Sequence, residues 1–285
     1  MAVVELSGDP GAPLLRAAIG LLPGNRRAGA LPDLELVRRG VPADREHLAR
    51  YDRVCGFRLT DRLPATYPHV LTFPLAMRLM SAPGFPFPVV GLVHVGNRIT
   101  VRRPVDAGTA LDLSVTARDL RAHDRGRQFD VVATASAAGE EVWRGVSTYL
   151  RKESAGPRKE GAGPRKESAG DRRDPPPPSA RWRVPARVGA DYAAVSGDHN
   201  PIHTSRLGAR LFGFPRPIAH GMWSKARCLA ALEGRLPEAY TVDVAFKLPI
   251  LLPATVAFAA TPRIDGWEFA LHTDRPHLAG QLTHP

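Results

Sequence analysis

DYAAVSGDHNPIHTSRLGARLFGFPRPIAHGMWSKARCLAAL, residues 191–232, closes on a run from about Met222 to Leu232 whose apolar residues recur at helical spacing. Strand candidates follow at residues 241–248, 255–261, 267–272 and 278–283, the last of them short. A lone helix followed by an antiparallel meander leaves one apolar helix face and one apolar sheet face to bury. Wrapping the sheet around the helix buries both at once.

The same order occurs upstream. Residues 73–82 (FPLAMRLMSA) have helical spacing and stop at Pro83-Gly84, and strand candidates follow at 89–101, 110–117, 129–135 and 142–150. The expected fold is therefore α+β and made twice, each half an antiparallel β-sheet wrapped around a central α-helix. Between the halves, RKESAGP, RKEGAGP and RKESAG repeat before running into Pro175 and its neighbours. These repeats lack apolar a and d residues and carry Gly and Pro, so a coiled coil is excluded. Residues 151–180 read as a low-complexity disordered linker between a domain at 1–150, with an N-terminal extension at 1–30, and a second domain at 181–285. Residues 14–22 read as a short helix and residues 44–54 as a longer one. The Ser7-Gly8-Asp9-Pro10 stretch begins like the polar motif described next but has no following Asn-Pro-x-His, and reads as a loop.

The chemistry is concentrated in residues 191–223. Asp198 and His203 straddle an Asn-Pro turn, whose bend brings side chains from its two sides to one point. A carboxylate and an imidazole sharing one water can take a proton from it and protonate a carbon beside a carbonyl, as hydration of an activated double bond requires. Gly221, at the start of the expected helix, offers an unhindered backbone N–H to a developing oxyanion, aided by the helix dipole. Met222, Cys228 and Leu229 suit either an acyl pocket or the core.

This stretch resembles the MaoC-like, or hydratase 2, branch of the hotdog superfamily. The resemblance rests on Tyr192, Ser196, Gly197, Asp198, Asn200, Pro201, Ile202, His203 and Ala209, then Gly213, Phe214, Ile218, Ala219, His220, Gly221 and Met222. It covers roughly residues 183–252 by motif and implies a double hotdog. It also implies a reversible hydro-lyase acting on trans-2-enoyl and (3R)-hydroxyacyl thioesters in fatty-acid metabolism. Catalytic roles then fall to Asp198, His203 and Gly221, with Asn200 bracing the loop; Ser196 shapes the turn and, with Met222, lies by the substrate. His220 and His94 read as structural. Residues 85–97 followed by Arg102 to Val105 resemble the degenerate N-terminal hotdog of two-domain members, without the Asp-x-Asn-Pro-x-His set. The acyl chain is then expected between the halves, with the thioester carried by coenzyme A or acyl carrier protein. A hotdog acyl thioesterase and a non-catalytic acyl-thioester-binding subunit are the alternatives, and the intact Asp198 and His203 weigh against both.

Composition narrows the partners. The formal charge of +11 suits anionic ligands, but aromatics are only 7% and no basic stretch is interleaved with stacking rings, so nucleic acid is not expected. Arg206, Arg210, Arg216 and Lys247 lie near the motif and suit either a phosphate-binding rim or a solvated face. Two cysteines, Cys55 and Cys228, provide neither a disulfide framework nor a zinc site, and free thiols are expected. The proposed chemistry requires no metal and no cofactor. No basic leader and no long apolar run is legible, so a cytoplasmic protein off the membrane is expected, with pairing of two chains.

Overall fold

The computed structural model describes residues 1–6, 29–153 and 177–284. The expected helix at 14–22, the loop at 7–10 and residues 154–176 of the expected linker lie outside the described residues. Within the described residues one element order occurs twice. The first half runs from strand β2 (Leu34–Val41) through helices α1 (Arg45–Cys55) and α2 (Tyr67–Met80) to β3 (Leu92–Val101), β4 (Leu111–His123), β5 (Gly126–Ala137) and β6 (Glu140–Lys152). The second runs from β7 (Ala180–Val184) through α3 (Val188–Ser196), α4 (Pro201–Thr204), α5 (Arg206–Leu211) and α6 (Gly221–Leu232) to β8 (Tyr240–Phe246), β9 (Ala254–Arg263), β10 (Gly266–His272) and β11 (Pro276–Thr283).

All the described strands join one sheet in the order β1-β2-β4-β5-β6-β3-β8-β11-β10-β9-β7, where β1 (Ala2–Glu5) adds in parallel to the edge of β2. Apart from β1, the order reads alike outward from the β3–β8 seam, five strands to each side. That seam is antiparallel, with Ile99 opposite Val242, and joins the halves as if they were two subunits. It is a double hotdog.

Each central helix is buried because its sequence leaves it little polar face. Nine of the fourteen residues of α2 are buried, and it packs on β2, β4 and β5. Eight of the twelve residues of α6 are buried, against β10, β11 and α1. Helix α1 is capped by Asp44, whose side chain accepts from the N–H groups of Glu46 and His47, and ends at Gly56 in the left-handed conformation. It then packs on α3 and α6 of the other half, and the Trp223 indole donates to the Val54 carbonyl at 3.0 Å. Cys55 and Cys228 are free, buried thiols.

Several boundaries differ from the sequence reading. Helix α2 starts at Tyr67, not residue 73, because Tyr67, Pro68 and Val70 are buried and extend it by more than a turn, leaving Pro74 inside. Strand β3 starts at Leu92 rather than 89, after Gly91 at φ 87°. Strands β2 and β7 were not anticipated, and β6 and β7 reach to Lys152 and Ala180 at the two ends of the expected linker. The last strand, read as short, spans Pro276–Thr283 and is interior, paired to both β8 and β10.

Candidate active site

The loop between α3 and α4 is set by a chain of local hydrogen bonds. Helix α3 ends at Gly197, whose φ of 76° turns the chain out of the helix. The Asp198 N–H donates to Ser196 Oγ at 3.2 Å, the Asn200 N–H to Asp198 Oδ1 at 3.2 Å, and the Ile202 N–H to Asn200 Oδ1 at 3.3 Å. Three alternate side chains, Ser196, Asp198 and Asn200, thus each accept from the backbone two residues on, and Asn200 caps the one-turn helix that carries His203. Gly189 lets α3 lie directly on the His203 backbone: a Cβ there would stand 2.0 Å from the His203 carbonyl oxygen.

His203 is buried, and its Nδ1 lies 2.8 Å from the Ile218 carbonyl oxygen. A carbonyl only accepts, so Nδ1 carries the proton and Nε2 keeps its lone pair. His220 lies flat against His203, with ring centroids 3.6 Å apart and planes 24° from parallel. His220 Nε2 donates to the Asp198 carbonyl at 3.0 Å and lies 3.8 Å from Asp198 Oδ2. Asp198, His203 and His220 each bring one ligand-type atom within 4.8 Å of the others. A carboxylate and an imidazole five positions apart therefore meet, at a carboxylate that stays partly exposed. His220, read from sequence as structural, adjoins both. A metal ion fits this trio poorly, since one nitrogen of each histidine is committed to a backbone carbonyl and the stacked rings do not converge on a point.

Gly221 opens α6 directly after His220, so its N–H is among those without an intrahelical partner. A Cβ there would press on the Phe246 ring at 3.1 Å. Met222 is buried and belongs to the core cluster. Ser196 serves the turn, as its bond to the Asp198 amide shows.

The first half supplies the facing wall. Phe73 of α2 lies 3.8 Å from where a Gly197 Cβ would be, and His69 sits one turn before it with ring centroids 6.4 Å apart. His69 stacks at 6.3 Å on His94 of β3, which stacks at 4.8 Å on Tyr149 and meets Phe246 edge-on at 5.0 Å. A register shift in the β3–β6 pairing falls between His94 and Gly96, the kind of irregularity that re-aims a side chain. His69, Phe73, His94, Tyr149 and Phe246 are all only half-buried, although they sit deep between the halves. His69 was missed in the sequence because nothing marks an imidazole on an apolar helix as facing a site on another segment.

Burial holds these imidazoles neutral. It pushes His203 below the ordinary histidine range, against the pull of the Asp198 carboxylate. It pushes His220 down to about 3, helped by His203, and His69 to about 4 and His94 to about 3, helped by the Lys225 charge. The unfolded chain therefore binds more protons on acidification, and the stabilisation present above about pH 6.5 is lost as pH falls toward these values. Asp52, which burial raises to about 7, acts oppositely: its contribution is present at low pH and lost as pH rises through 7. Burial also lowers His47 and His277, so with six histidines against one raised carboxyl the melting temperature is expected to fall between pH 7 and pH 5. A calorimetric series showing it flat or rising would contradict the neutral, buried state of these rings.

The family description "MaoC like domain" matches residues 178–262. Over 273 residues the chain is 40% identical to 3-hydroxyacyl-thioester dehydratase X of Mycobacterium tuberculosis, covering 94% of this chain and 96% of that protein. The crystal structure of that organism's HtdX superposes with a TM-score of 0.76 at 36% identity, over 87% of this chain and 98% of that one. The (R)-specific enoyl-CoA hydratase of Aeromonas caviae is 32% identical over 94 residues, 33% of this chain and 69% of that protein.

Proposed function

The chain belongs to the MaoC-like hydratase and dehydratase family, and from that premise we infer that it is a hydro-lyase interconverting trans-2-enoyl and (3R)-hydroxyacyl thioesters. The observation that carries the assignment to particular residues is the meeting of Asp198 with His203 in the tautomer that leaves Nε2 free to accept a proton.

In the hydration direction, water held by the Asp198 carboxylate gives a proton to His203 Nε2 as its oxygen bonds to C3. The C2–C3 π electrons move toward the thioester carbonyl, whose oxygen takes up negative charge beside the Gly221 N–H and the positive end of α6. The proton on the imidazolium, steadied by the Asp198 carboxylate, then passes to C2. Dehydration is the reverse. Asn200 acts by holding the Asp198 loop through its bond to Ile202.

The first half carries no Asp-x-Asn-Pro-x-His set and is read as a degenerate hotdog that lends its sheet and the wall of His69, Phe73 and His94 to the acyl side. Arg206, Arg210, Arg216 and Lys247 are exposed and, among the described residues, none is in an ion pair, which supports a basic rim for the phosphates of coenzyme A or a carrier-protein arm. No described helix is long and apolar enough to cross a membrane.

The test is loss of the conjugated enoyl absorbance when the protein is mixed with crotonyl-CoA, beside His203→Ala. The parent is expected to hydrate the substrate and the variant to lose about 10²-fold or more of kcat/KM. The acidic limb of the parent's pH profile should lie below pH 6.5, because burial keeps the base unprotonated there. Release of free thiol without hydration would identify a thioesterase instead.

A further inference from the structure

Lys225 has no exposed surface, although it carries a charge-bearing group and takes no part in the proton transfers above. Its Nζ donates to the Asn97 carbonyl at 3.0 Å, to Asn97 Oδ1 at 2.6 Å and to the Val242 carbonyl at 3.1 Å. Those are three acceptors for the three N–H bonds of an ammonium; a neutral amine would turn a lone pair toward one of the oxygens. Burial pushes its pKa well down, and the acceptors together with the nearby Asp243 carboxylate oppose that. A well-packed apolar side chain generally stabilises such a place at least as well as a buried ion, so stability alone does not account for a lysine here.

Its location does. Asn97 is on β3 of the first half and Val242 on β8 of the second, so the ammonium bonds both strands of the seam that joins the halves. Asn97 is itself buried, and its amide donates to Ser147 Oγ at 3.1 Å on β6, which fixes the acceptor. Lys225 lies four residues after Gly221 and therefore on the same face of α6. Gly221 rests on Phe246 of β8, and Lys225 bonds Val242 of the same strand and face. The first two turns of α6 are thus fastened to β8 at two points, and the second point also grips the other half of the molecule.

We infer that Lys225 is a positioning residue: its ammonium, latched to Asn97 and Val242, holds the start of α6 against both halves and so sets the aim of the Gly221 amide. The inference rests on the oxyanion role given to that amide. It makes the degenerate half a necessary part of the site, since one of the two strands that hold the helix belongs to it. The charge also disfavours protonation of His69 and His94, keeping the facing wall neutral.

The test uses the full chain with Lys225→Met and, as a milder break, Asn97→Ala, beside Asp198→Asn. For folded Lys225→Met, kcat for crotonyl-CoA is expected to fall about tenfold or more while KM changes by less than about threefold, since an oxyanion donor acts mainly in the transition state. Amide exchange across residues 219–226 is expected to quicken in both latch variants and to stay as in the parent in Asp198→Asn. Folded Lys225→Met with the parent's kcat, or with unchanged exchange at 219–226, overturns the inference. Where Lys225→Met does not fold, parental kcat and exchange in Asn97→Ala overturn it instead. A parent without hydratase activity sinks the functional reading alone, and exchange still decides whether the latch holds the helix.

Discussion

Asp198→Asn is expected to lower kcat/KM for hydration of a short trans-2-enoyl-CoA by about 10²-fold or more while leaving the fold intact. The substitution keeps the shape of the side chain and an oxygen to accept the Asn200 N–H, so the loop built on that bond persists. What it removes is the negative charge that, in the proposed mechanism, orients water and steadies the imidazolium of His203. The loss should therefore fall on kcat more than on KM, and circular dichroism and melting temperature should match the parent. A well-folded variant within threefold of parental kcat/KM would remove Asp198 from the reaction.

Gly189→Ala is expected to be comparably damaging from a position with no chemistry at all. Its Cβ would stand 2.0 Å from the His203 carbonyl oxygen and 3.0 Å from the carbonyl carbon, and these are backbone atoms that cannot rotate away. Either α3 lifts off or the one-turn helix α4 moves, and both displace His203 from Asp198. Overpacking of this kind costs about 1–3 kcal/mol of stability. Misplacing a catalytic group by about 1 Å costs on the order of 10²-fold in rate. Gly84→Ala is the matched control: nothing lies within 4 Å of its Cβ, and both activity and stability should stay at parental values. An active Gly189→Ala protein would mean that the contact between α3 and the His203 backbone is looser than the geometry makes it.

The core elements were legible because their side chains alternate or recur at the period of their structure. Helix α6 and the interior strands β4, β5, β9 and β10 carry enough apolar residues that burial of one face dictates both their existence and their type. Strand β2, next to the edge strand β1, and the edge strand β7 escaped because they carry charge among their apolar residues, Arg38 and Arg39 in one and Arg181 and Arg183 in the other. What makes them strands is pairing with β4 and β9, long-range hydrogen bonding that local composition does not encode. The start of α2 escaped for the converse reason: Pro74 reads as a first-turn residue, yet burial of Tyr67 and Val70 carries the helix back past it.

The residues from Ser196 to His203 determine their own turn, because each of Ser196, Asp198 and Asn200 bonds a backbone N–H two positions on, and such short-range geometry is written in neighbouring residues. The sequence alone therefore determined that a carboxylate and an imidazole bracket a capped bend, ahead of a helix that begins with glycine. Tertiary structure decided the rest: which nitrogen of His203 is free, through the Ile218 carbonyl; that His220 lies flat against it; and that His69, His94 and Lys225 gather around the seam of the halves. Those contacts join residues far apart in the chain, and only the folding of one sheet around two buried helices brings them within reach.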